Sequence, residues 1–244
     1  MNFDLNSFSI VIANNISSNI LNHELQISTK QEISVPTIST NNEVATVIVI
    51  FNVNPEKQQE LLDNIAEFVK IVKQQPGFVS ANLHKSLDGL KVANYAQWET
   101  TEDFENFINN PEVKQKASKI KAFNPDNHIY EVVISESKTG IPEIDNKYVY
   151  HFAEFRMQPE NQPRMIELAG ENVGKAMELP GLVSANFHRS LAGTRVINYG
   201  QWSNQEAIEN LKKQPGFGSE SPYWEGIAEN EHHLYELVFS VTKD

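Results

Sequence analysis

The chain repeats itself. Residues 76–107 read PGFVSANLHKSLDGLKVANYAQWETTEDFENF, and residues 180–211 read PGLVSANFHRSLAGTRVINYGQWSNQEAIENL. The two runs align without a gap at an offset of 104, with more than half the positions identical. Most differences are conservative, as in Lys85/Arg189, Leu83/Phe187 and Lys91/Arg195. The offset holds upstream, where Pro55-Glu56 matches Pro159-Glu160, and becomes 105 downstream, where His128-Ile129-Tyr130-Glu131 matches His233-Leu234-Tyr235-Glu236. A period of this length is too long for a solenoid unit, so the chain is a domain duplication.

Each copy has the same coarse pattern. In the first, the β-branched run 44–53 reads as a buried strand. Pro55 then sits at a helix start, and Leu61, Leu62, Ile65, Phe68, Val69 and Val72 recur at helical spacing. Pro76-Gly77 ends that helix. Residues 78–86 and 91–99 read as strands joined at Asp88-Gly89, a hairpin signal. A second helix starts near Thr101, Pro111 interrupts it, and residues 128–135 form a fourth strand. The order is βαββαβ, the ferredoxin-like plan. The expected class is therefore α+β, with modules at 44–136 and 147–242, a linker at 137–146, and an N-terminal extension at 1–43 that reads as an extended or poorly ordered arm.

Charge and composition narrow the function. Twenty basic residues against 32 acidic ones give a net charge of −12, which repels phosphate backbones and anionic lipid, so neither nucleic acid nor membrane is an expected partner. The absence of cysteine removes disulfides, thiolate catalysis and Cys-ligated metal. Asp4 stands where a signal peptide would be basic, and the apolar run 10–13 is too short for its core. A soluble cytoplasmic protein is expected.

A two-residue turn at Asp88-Gly89 sets the hairpin register. Leu83 then opposes Asn94 and Val79 opposes Trp98. One face carries Val79, Ala81, Leu83, Val92, Asn94, Ala96 and Trp98, and belongs under the helices. The other carries Ser80, Asn82, His84, Tyr95 and Gln97, too polar for a dry core and suited to packing on a second sheet. The second copy repeats both sets, with Asn198 and Trp202 on one side and Asn186, His188, Tyr199 and Gln201 on the other. Two such sheets can close an intramolecular dimeric α+β barrel, with further self-association left open.

An amide in the middle of an apolar strand face is costly unless hydrogen-bonded. Asn94 and Asn198 are therefore either core amides satisfied by backbone or groups that grip a substrate oxygen. Trp98 and Trp202 follow four residues later on the same face, about 13 Å along the strand. His84 and His188 recur, as do His128 and His233; polar barrel residues, acid–base groups and metal ligands are all open for them, and no metal is expected. Tyr95 and Tyr199 read as sheet-packing aromatics or as proton-transfer groups.

The run PGFVSANLHKSLDGLKVANYAQWET and its copy PGLVSANFHRSLAGTRVINYGQWSN resemble the antibiotic biosynthesis monooxygenase domain, and most of all the anthrone-oxidising members of aromatic polyketide pathways. The resemblance covers nearly everything after residue 43. It implies a ferredoxin-like fold with paired sheets, and oxidation of an activated aromatic small molecule by molecular oxygen with no cofactor: no metal, flavin or haem. It also implies that Asn94, Trp98, Asn198 and Trp202 are the catalytic positions. Phe104, His84, Tyr95, His188 and Tyr199 are the expected substrate contacts. Two positions depart from the family pattern: a pocket Tyr is replaced by Phe104 and Ile208, and a helix Arg falls near Ala117. The haem-degrading members need a His near Ala117–Ser118 and an Asn at Val49 or Ala153, so haem is not expected. The rival reading is a module that binds a small hydrophobic molecule, or an accessory subunit, without catalysis.

Overall fold

The structure, a computed structural model, describes residues 35–211 and 222–243. The first module contains β1 (Ala45–Asn52), α1 (Pro55–Val72), β2 (Phe78–Ser86), β3 (Lys91–Trp98), α2 (Thr101–Asn109), α3 (Pro111–Lys116), α4 (Ser118–Lys121) and β4 (Asp126–Ser137). The second contains β5 (Val149–Arg156), a 3₁₀ turn at Pro159–Asn161, α5 (Gln162–Met177), β6 (Leu182–Ser190), β7 (Arg195–Trp202), α6 (Gln205–Leu211) and β8 (Glu229–Thr242).

Local chemistry explains the boundaries. Thr100 caps α2 by accepting from the Asp103 amide. Pro111 ends that helix and begins the next, because Asn110 accepts from the Glu112 amide and proline occupies a first-turn position whose N–H would have no partner. Gly77, at φ +74°, turns the chain into β2 so closely that a Cβ there would overlap the Asp103 side chain. Its carbonyl accepts from the Glu99 amide at 2.6 Å. Gly181 repeats this against Ala207 and Ser203. The Pro-Gly pair of each copy thus fixes where the second helix leaves the sheet.

The eight strands of the described residues form one closed barrel in the order β1-β3-β2-β8-β5-β7-β6-β4. The modules join edge to edge rather than only face to face. Residues 126–130 of β4 pair with β1, and residues 130–137 pair with β6 of the other module. Likewise residues 229–235 of β8 pair with β5, and residues 235–242 pair with β2. The changeover falls at Tyr130 and Tyr235, both buried in the barrel.

The hairpin register is as expected, with Leu83 opposite Asn94. One expectation needs correction. Val79 does not oppose Trp98; it is extruded in a β-bulge, and Phe78 takes its place against Trp98 and in the core under the helices. The extra residue restores alternation from Ser80 onward. The Val79 carbonyl is used by the far end of β8, accepting from the Lys243 amide at 3.0 Å.

Inside the barrel the polar faces meet. His84 Nδ1 lies 3.0 Å from the Asn82 carbonyl, which can only accept, so Nδ1 carries the proton and Nε2 is the acceptor. Nε2 then receives the Tyr199 hydroxyl of the other module at 2.9 Å. The reciprocal pair is Tyr95 to His188, at 3.1 Å. Burial drives the His84 pKa down to about 3 and that of His188 to about 4, so both rings are neutral. It also pushes both phenols above their ordinary range.

One end of the barrel is closed by segments outside both modules as read from the sequence. Thr37 bridges Glu143 in antiparallel fashion, and Ile38 and Ile144 are buried in the barrel core. Gln97 donates to the Thr37 carbonyl at 2.8 Å and Gln201 to that of Glu143 at 2.6 Å. The runs Val-Pro-Thr-Ile (35–38) and Ile-Pro-Glu-Ile (141–144) are a further piece of the repeat, at offset 106.

Two outcomes follow. Tyr95→Phe or Tyr199→Phe leaves a buried imidazole nitrogen without its donor and should lower unfolding free energy by about 1–3 kcal/mol, measured by denaturant titration. Because both histidines ionise near 6.5 when unfolded and far lower when folded, the unfolded chain binds more protons between pH 6.5 and about 4. Stability should therefore be lost as pH is lowered across that window, by on the order of 1 kcal/mol per histidine per pH unit. His84→Gln with His188→Gln should flatten the slope.

Candidate functional site

The helix side of the first module encloses a cavity of about 240 Å³. Its floor is the outer face of the sheet, including Val47, Val49, Ala81 and Ala96; its walls are Ile65 and Val69 of α1 with Phe107 and Val113 of α2 and α3. Trp98 and Phe104 line the same space, with ring centroids 5.8 Å apart, and Phe107 packs on Trp98 at 4.8 Å. Asn94 of β3 and the more exposed Asn127 of β4, both opposite Val49, are the polar side chains of the sheet floor. At the mouth stand Lys114, Lys121 and Asn127, all exposed. Among the described residues the lining holds no carboxylate, imidazole or phenol.

The fold brings these residues together for a simple reason. Residues 94, 96 and 98 alternate onto the outer face of β3, and the kinked run α2–α3–α4 covers them without filling the space. The break at Asn110-Pro111 creates the kink. Ala117, where the family resemblance implied an arginine, also lines the cavity.

The corresponding region of the second module is packed differently. Asn198 and Trp202 sit on the outer face of β7, with Trp202 in an apolar cluster that includes Phe155, Met165, Ala169 and Ile208. Trp224 packs edge-on against Phe155 at 5.2 Å, and Tyr223 packs on Trp224 at 4.8 Å. Burial pushes the Tyr223 phenol up to about 12. Asn198 Oδ1 is buried with no hydrogen-bond partner among the described residues. The glycine-rich run 215–218, a sequence difference between the copies, lies outside the described residues.

The expected site residues therefore divide into three groups. Asn94, Trp98 and Phe104 share the cavity. Asn198 and Trp202 occupy the equivalent face of the other module. His84, Tyr95, His188 and Tyr199 lie on the opposite side of the sheet, fully buried in the barrel and bonded to one another. His233 lies between Asp88 and Glu231, at 2.6 and 3.1 Å, in a charged network at one barrel end. His128 lies 2.9 Å from Asp126. The rim lysines were not among the expected contacts; their spacing on a kinked helix gave no signal until the helix was seen over the cavity.

Two segments, residues 44–118 and 148–219, match the family described as antibiotic biosynthesis monooxygenase. Tetracenomycin-F1 monooxygenase of Streptomyces glaucescens is 45% identical over 69 residues, covering 28% of this chain and 62% of that relative. The match thus spans less than two thirds of the relative's length. The crystal structure of an anthrone oxidase-like protein superposes with a TM-score of 0.74 at 23% identity, covering 85% of this chain and 97% of the other. A protein of Fusobacterium nucleatum superposes with a TM-score of 0.57 at 12% identity, covering 82% and 94%. At such identities the superpositions establish the fold. The two matched segments make up more than half of the sequence, and the chain belongs to the antibiotic biosynthesis monooxygenase family.

Proposed function

We propose that the chain oxidises an electron-rich aromatic molecule of polyketide type with molecular oxygen, in the cavity of the first module, without metal, flavin or haem. The supporting observation is the cavity itself: an apolar, aromatic-walled space whose sheet floor carries an amide, Asn94, beside Trp98, with the more exposed Asn127 nearer the mouth.

The chemistry asks little of the protein. The benzylic C–H of an anthrone is acidic because its conjugate base is an enolate, and an enolate is electron-rich enough to reduce oxygen. The substrate loses that proton to solvent at the cavity mouth. Asn94, and the Trp98 indole N–H, are donors suited to the enolate oxygen, where a bond strengthens as charge develops. Electron transfer to oxygen and recombination at the carbon form a hydroperoxide. Loss of water leaves the ketone, so anthrone and oxygen become anthraquinone and water. The apolar walls keep solvent from the enolate.

A second reading is favoured by one observation. Among the described residues the lining has no carboxylate, imidazole or phenol to take the proton, which suits a module that binds the same class of molecule without turning it over. Oxygen uptake with emodinanthrone separates the two. Uptake above the uncatalysed rate, with quinone as product, supports the enzyme; saturable binding without uptake supports the binder.

Asn94→Ala should lower turnover or affinity about 10- to 150-fold, the effect of removing a hydrogen bond to a charged oxygen, about 1.5–3 kcal/mol. Asn198→Ala should cost less, because Trp224 and its neighbours pack that side of the second module. Equal losses would point to two equivalent sites, and no loss in either would make Asn94 a structural amide. The purified protein should show no visible absorbance; stoichiometric iron, copper or flavin would overturn the cofactor-free mechanism.

A further inference from the structure

The charge around this cavity runs against that of the chain. The net charge is −12, yet residues 114–121 hold Lys114, Lys116, Lys119 and Lys121. Most of the other described cations are matched to carboxylates, as in Lys57–Glu60, Lys85–Glu236, Lys91–Glu231 and Arg189–Glu131, while Lys138 donates to the Leu179 carbonyl. Among the described residues no carboxylate pairs with any of these four lysines; Lys114 donates to the neutral Asn109 amide at 3.2 Å. Two of the four, Lys114 and Lys121, line the mouth of the apolar cavity. They come from α3 and α4 on either side of the bend at Ala117.

We propose that the ligand of this cavity is an anion, with its apolar body inside and a carboxylate at the mouth between Lys114 and Lys121. The proposal rests on the reading that the cavity is the ligand site, and it adds the ligand's charge. Size points the same way. At about 240 Å³ the space is below the usual range of about 300–1,000 Å³ for small-molecule pockets, so it holds a compact ring system and leaves further substituents at the lysine rim. Free charges elsewhere on this acidic surface act over no more than about 8–10 Å at ordinary salt. An anion at the mouth meets the two lining ammonium groups, while the carboxylates nearest them in the chain, Glu112 and Asp126, do not line the cavity, and Asp126 is held by His128 and Arg195. A neutral ligand of the same shape would gain nothing from them.

The test uses two quinones that cannot be turned over and differ at one substituent: rhein, which carries a carboxylate, and chrysophanol, which carries a methyl group in its place. Affinities are measured by quenching of tryptophan fluorescence. At about 0.02 M salt rhein should bind about 2- to 30-fold tighter, the range for two exposed ion pairs. That ratio should fall toward one at about 0.5 M salt, and in the double variant Lys114→Gln/Lys121→Gln. The double arginine variant should keep it, and Lys57→Gln, on the outer face of α1, should leave it as in the native chain. Equal affinities in the native chain, or a preference that survives the double glutamine change, would overturn the anion while leaving the cavity as an aromatic site. Failure of both quinones to bind would overturn the cavity as the ligand site, and the anion with it.

Discussion

The fold hangs on the double use of two strands. β4 and β8, at 12 and 14 residues, are the longest strands among the described residues, and each pairs with the first strand of its own module and then with the second strand of the other. A ferredoxin-like sheet on its own ends in two open edges. Here both edges are consumed by the partner module, so no row of backbone N–H and C=O groups is left unpaired on either. Bulges at Val79 and Val183, and register shifts within β4 and β8, supply the twist that lets four-stranded sheets meet as a barrel.

Closure divides labour between the two faces of each strand. The inward face joins the modules: Tyr95 and Tyr199 each donate to the histidine of the opposite copy, and the histidines stay neutral because burial disfavours charge. Gln97 and Gln201 tie down the segments that plug one end. The outward face carries the apolar floor on which the helices rest. The cavity lined by Asn94 and Trp98 lies on that side, while much of the inside is filled by the groups that hold the copies together.

The two copies have diverged within this shared frame. Ile50 in the first module corresponds to Glu154 in the second, where a buried carboxylate is held by Arg156 at 2.6 Å and Arg195 at 3.1 Å. On the helix side the first module keeps an open space beneath α2–α4, whereas Trp224 and Tyr223 pack against the second. The orphaned Asn198 Oδ1 fits this picture: the amide position persists, while the chemistry around it has changed. Buried acceptors without partners are costly, and a water or ligand donor there would remove the penalty.

By itself the sequence determined the duplication, the βαββαβ order, the hairpin register and the two faces of β2 and β3, because these are local consequences of side-chain alternation, turn residues and self-similarity. It placed Asn94 and Trp98 on the face under the helices. The repeat of Val-Pro-Thr-Ile as Ile-Pro-Glu-Ile was also legible, but it lies outside the long aligned run and does not disclose that it caps a barrel. Only the tertiary structure decided that Phe78 rather than Val79 packs on Trp98, because a bulge depends on the neighbouring strand. It also separated His84, Tyr95, His188 and Tyr199 from the cavity, and brought Lys114 and Lys121 to its mouth. Those outcomes depend on which edges pair and where a kinked helix lands, and contacts between residues far apart in the chain leave no periodicity to read.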